Sequence, residues 1–161
     1  MSDADGSEQR IVDGRAWSEF CDALKAAGAV VLDDSAPSDP LTRAEGFRYL
    51  TRLTRAAFET LVEASDPQAP ELRRTAHETI KMGLDNPDNY YVSASVTPEH
   101  TYRIRGKRGT IHYLSFAAQS QNFAARDKIA GGAGHLNDAE LEIGPDGRFE
   151  ILASREPQPG N

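Results

Sequence analysis

A chain of 161 residues with 39% apolar side chains supports one domain, or one domain with an added helical element. Its 25 acidic against 18 basic residues, a net charge of -7, argue against general nucleic-acid binding, which needs a basic surface, and against docking on anionic membranes. A lone cysteine, Cys21, leaves no internal disulfide framework and no CxxC metal or redox pair.

Residues 1–12 are small, acidic and without apolar periodicity, which predicts a disordered tail. There is no basic start, no early apolar run and no stretch near the ~20 apolar residues of a membrane span, so the expected compartment is the cytoplasm. From Asp13 a helical region is expected to occupy 13–84. Trp17, Phe20, Cys21, Leu24 and Ala27 share one stripe, with Gly28 as a natural stop and Cys21 as a buried structural thiol. A linker dense in Asp, Ser and Pro follows over 33–40.

The next helix is signalled twice, by Asp39-Pro40 and by the capping-box spacing of Thr42 and Glu45, which leaves its first residue open. Phe47, Leu50, Leu53, Ala57, Phe58 and Leu61 share its apolar face, which is expected to pack on the sheet; Arg48, Arg52 and Arg55 lie roughly 140° away at ~100° per residue. Pro67 and Pro70 break the chain, and Leu72, Ala76 and Ile80 predict a shorter third helix over 71–82.

After Asp85 the period changes from helical to alternating. Segments 90–96, 101–105 and 110–117 read as strands, joined by turns at 97–100 and 106–109. Segments 141–143 and 149–152 flank Gly144-Pro145-Asp146-Gly147, a third hairpin signal, while 118–138 reads as a long polar, glycine-rich insertion. The predicted fold class is α+β: N-terminal helices, then an antiparallel β-sandwich of jelly-roll type over 85–161.

Two polar clusters stand out. Residues 85–91 place Asp85, Asn86, Asp88 and Asn89 at the entry to the sheet, where they either build turns with their own backbone or meet a polar ligand or cation. Arg103 and Arg105 alternate with Tyr102 and Ile104, so they share one sheet face. There they either grip an anion through guanidinium forks or form cross-strand ion pairs. Asp85, Asp88, Asn89, Arg103, Arg105 and His112 are the candidate ligand-binding residues. His112 reads as a packed strand residue, and His135 falls in the 118–138 insertion. The four histidines lack metal-pair spacing, no metal site is assigned, and no G-x-S-x-G elbow or phosphate-binding glycine loop occurs.

Three runs carry a resemblance: Ala44-Glu45-Gly46-Phe47-Arg48-Tyr49-Leu50-Thr51-Arg52-Leu53, Asp85-Asn86-Pro87-Asp88-Asn89-Tyr90-Tyr91 and Tyr102-Arg103-Ile104-Arg105-Gly106-Lys107-Arg108-Gly109-Thr110. With the closing stretch Ser154-Arg155-Glu156-Pro157-Gln158-Pro159-Gly160-Asn161, the chain resembles the bacterial DUF1214 proteins, a family of unknown function, from about Ala16 to Asn161. The resemblance implies a jelly-roll sandwich. Similar proteins continue past a Gly-Asn pair into further strands, so it also implies a shortened member with an unfinished sandwich. The expected function is a non-catalytic binding or interaction module for a small polar or anionic ligand, or for a companion domain or second copy. The alternative is a metal-assisted enzyme using Asp85, Asp88, His112 or His135. No cofactor is indicated.

Overall fold

The computed structural model describes residues 3–82, 85–121 and 129–158. Its elements, in chain order, are helices α1 (Asp3–Val12), α2 (Arg15–Val30) and α3 (Pro40–Phe58), a π-helical turn (Glu59–Glu63), and strands β1 (Tyr102–Lys107), β2 (Ser115–Gln121), β3 (Ile129–Asn137) and β4 (Arg148–Ala153). The class is therefore mixed α+β, with helices first and antiparallel pairs after. The chain divides into two units, Met1–Ser95 and Val96–Asn161.

In the first unit, residues 3–12 are helical where sequence predicts a tail. Arg10 in the last turn of α1 complements the helix dipole and pairs with Glu19 of α2. The chain reverses at Gly14, whose φ of 77° suits a residue without a Cβ. Helix α2 does not stop at Gly28 but runs on to Val30. Gly28 faces Leu50 and Phe47 of α3, and a Cβ there would make ordinary contact with both, at 3.9 and 4.0 Å.

Of the two signals for the start of α3, Asp39-Pro40 prevails. Asp39 Oδ1 accepts the Thr42 backbone N–H at 2.9 Å, and Pro40 occupies the first turn. Bonds from the Thr42 side chain, then from its backbone, hold the Asp39 carboxyl below its usual range. Asp39→Ala is expected to destabilise the protein by ~1 kcal/mol, read as a lower midpoint in urea titration. At its far end α3 widens, with Ala64 N–H donating to Glu59 O at 3.2 Å across five residues.

No helix forms over 71–82. The segment is extended, tied by paired backbone bonds between Arg73 and Ser93 (2.8 and 2.9 Å) and by a tight turn in which His77 and Ile80 exchange bonds (2.9 and 3.1 Å). Ile80 is 1% exposed, the most buried large side chain described. Residues 90–96 likewise form no strand; Ser93 makes an isolated bridge, and Arg74 stacks over the Tyr90 ring at 4.6 Å. These ties hold 85–95 to the helical unit, which ends at Ser95.

The second unit holds two antiparallel ribbons. Strand β1 pairs with β4 from Tyr102↔Ala153 to Lys107↔Arg148, and β2 pairs with β3 from Ser115↔Asn137 to Gln121↔Ile129. The predicted hairpin between β1 and 110–117 does not form. Instead β1 pairs with β4, where Gly106 lies opposite Phe149 and the aromatic ring covers it. Residues 110–114 become turn and coil, leaving Ile111 and Tyr113 exposed and His112 off any strand. Much of the predicted polar insertion is instead ladder, in β2 and β3, and 122–128 lies outside the described residues. The Gly144–Gly147 turn forms as predicted, with Gly147 N–H donating to Gly144 O at 2.8 Å and φ of 81° at Gly147, although 141–143 joins no strand. Phe116 and Phe149 meet edge-on at 5.6 Å and join the two ribbons, and Ile151 and Leu141 are the buried apolar residues among those described in this unit.

Candidate functional site

The candidate residues divide between the units. In the first unit, Asp85 is absorbed into a turn: Oδ1 accepts the Met82 N–H at 3.0 Å and Oδ2 meets Lys81 Nζ at 3.3 Å. Asn86 Oδ1 accepts the Asp88 N–H at 3.0 Å, and the Tyr91 hydroxyl accepts from Asn86 N at 3.2 Å and from Asn89 Nδ2 at 3.1 Å. This is the side-chain-to-backbone bonding that Asx residues use to build turns. The Asp88 side chain is exposed.

In the second unit, the alternation of β1 puts Tyr102, Ile104 and Gly106 inward and Arg103, Arg105 and Lys107 outward. The register with β4 then sets Arg103 opposite Leu152, Arg105 opposite Glu150, and Lys107 opposite Arg148. Glu150 receives both arginines through Nε, Arg105 at 2.7 Å and Arg103 at 3.3 Å. The Arg105 bond, opposed by desolvation and aided by the charges of Arg103 and Arg105, holds the Glu150 carboxyl below its usual range. Arg148 pairs with Asp146 at 2.6 Å, and among the described residues Lys107 has no ion pair. Four cations thus share this exposed face with two carboxylates. A like-charged pair directly opposite, Lys107 with Arg148, costs stability, so folding alone does not account for the face.

Arg108 takes a different course. It leaves the ribbon and donates through Nη2 to Asp138 Oδ2 at 2.8 Å, a partly buried pair, and to the exposed His112 carbonyl at 3.3 Å. His112 therefore contributes a backbone carbonyl to a structural tie, and its ring is exposed. Arg108→Ala is expected to lower stability by ~1–3 kcal/mol through the stranded Asp138 carboxylate, measured by thermal unfolding. His135 stands on β3 opposite Ala117, exposed, instead of in a loop. Among the described residues no three His, Cys, Asp or Glu side chains converge on a metal-sized site.

Sequence reading found Arg103 and Arg105 but missed Arg148, and it took Lys107 for a hairpin tip. The alternation of Arg148 and Glu150 along 148–152 was the available signal.

No family model and no curated protein matches this chain. A solved structure, that of an uncharacterized protein from Burkholderia cenocepacia, is similar to it. The two share 46% sequence identity with a TM-score of 0.86, over 95% of this chain and 42% of that chain. The chain thus spans less than half the length of the Burkholderia protein. No helix among the described residues is long and apolar enough to cross a membrane.

Proposed function

We propose that the protein is a non-catalytic binding module that holds an anionic group on the outer face of the β1–β4 ribbon. The observation that carries this reading is the convergence of Arg103, Arg105, Lys107 and Arg148 on one exposed face of a chain whose net charge is -7. Guanidinium forks and an ammonium group recognise sulfate, phosphate or carboxylate by charge-assisted hydrogen bonds. Glu150 holds the two arginines side by side while the ligand is absent, and it competes with the ligand for them.

The same reading takes the ribbons as part of a larger jelly-roll sandwich of the DUF1214 kind, in a cytoplasmic protein. Its support is the nested pairing of β1 with β4 around β2 and β3.

Sulfate is the simplest probe, because it keeps its charge across the range in which carboxylates titrate. Calorimetric titration is expected to show binding that Arg103→Ala with Arg105→Ala weakens about tenfold or more. Glu150→Gln is expected to tighten binding at neutral pH. Acidification should tighten it in the wild type, since protonating Glu150 removes the competitor, and that gain should vanish in the Gln variant. A double Arg variant that melts lower yet binds sulfate unchanged would refute the reading.

A further inference from the structure

We infer that the open apolar face of the α2–α3 hairpin, centred on Trp17, Phe20 and Phe58, docks a companion polypeptide domain of the kind that makes up the unmatched part of the longer Burkholderia chain. The inference concerns the first unit alone and does not depend on the anion site. The three rings form a continuous row: Trp17 to Phe20 at 5.6 Å, Phe20 to Phe58 at 5.6 Å. They are also open to solvent, Trp17 at 69% and Phe58 at 42%, and the row continues past Phe58 into Leu61 and Val62, both more than half exposed. The α2 stripe thus has α3 on one side and no third layer, which is why Cys21 is exposed where sequence predicts a buried thiol. Contiguous aromatic patches of this kind mark interaction surfaces in soluble proteins, and Trp anchors are enriched among residues that dominate binding energy.

What covers it follows from the comparison. A chain 46% identical over nearly all of this one has the same fold, yet more than half of its length has no counterpart here. That polypeptide is the partner the observations link to this fold. Anionic lipid is disfavoured, because the first 95 residues carry 17 acidic and 10 basic side chains.

Trp17 is the single tryptophan, so its emission reports on this face in the isolated chain. The chain alone is expected to be monomeric by light scattering, with red, concentration-independent Trp17 emission. In a chimera in which this chain replaces the matched part of the Burkholderia protein, hydroxyl-radical oxidation of Trp17 and Phe58 should fall about fivefold or more. Trp17→Glu should lower the melting temperature of the chimera and leave that of the isolated chain unchanged. Equal oxidation in chimera and isolated chain overturns the proposal. So does self-association that protects Trp17, which would make a second copy the occupant, or a blue shift on lipid vesicles alone. Should the chimera not fold, the unmatched Burkholderia segment is co-expressed with this chain. A 1:1 complex lost in Trp17→Glu supports the proposal, and no complex overturns it.

Discussion

Ile80→Ala is expected to destabilise the first unit by ~2–5 kcal/mol, the largest effect of any single truncation in that unit. Ile80 is 1% exposed, and its flanking backbone is held by the bonds exchanged with His77 and by the Tyr49 hydroxyl, which donates to the Lys81 carbonyl. Backbone so tied collapses poorly around a cavity, which places the cost toward the upper end of the range. Leu53, on the predicted core stripe of α3, is only partly buried, so Leu53→Ala should cost less. Urea titration of both variants, followed by circular dichroism at helical wavelengths, checks the order. A larger loss for Leu53→Ala would mean that the helix stripe, and not the extended segment, organises this unit.

Gly106→Ala should disrupt the second unit, by ~1–3 kcal/mol for overpacking and more if the ribbon shifts register. A Cβ at Gly106 would collide with the Phe149 ring, with Cε1 only 2.9 Å away. That ring cannot yield freely, because it also meets Phe116 and so links the two ribbons. Phe149→Ala alone should cost ~3–5 kcal/mol. The double variant should cost clearly less than the two single losses together, since removing the ring removes the clash. Strict additivity in a double-mutant cycle would show that Gly106 and Phe149 do not act as a pair. The same variant bears on function: a shifted β1 register would separate Arg105 from Glu150, so sulfate affinity should fall along with stability.

The acidic limb of stability has a fixed sign. The carboxyls of Asp13, Asp33, Asp39, Glu78, Glu99, Asp146 and Glu150 are all held below their usual range, chiefly by hydrogen bonds to neighbouring backbone and side chains. A group whose folded pKa is depressed stabilises fully above its unfolded value, about 4, and loses that contribution as pH falls through the folded value. The melting temperature should therefore be flat near neutrality and decline below about pH 4.

Sequence alone determined what is local. Asp39-Pro40 and Thr42/Glu45 narrowed the start of α3 to two places, because capping signals lie within four residues, and the structure takes the first. The alternation of Tyr102, Arg103, Ile104 and Arg105 put the two arginines on one face, because pleating allows no other arrangement. Gly144 to Gly147 announced their turn through backbone freedom alone. Only the tertiary structure decided what depends on distant partners. Residues 71–82 have a helical apolar spacing, yet Arg73 and Ile80 find better backbone partners in Ser93 and His77. Strand β1 passes over its neighbour in sequence and pairs with β4, where the Phe149 ring lies over Gly106. That pairing brought Lys107 and Arg148 together and made a cationic face out of what sequence showed as two arginines. Side-chain period fixes which way a residue points, but register is set by packing across the ladder, and packing is where information from remote parts of the chain enters.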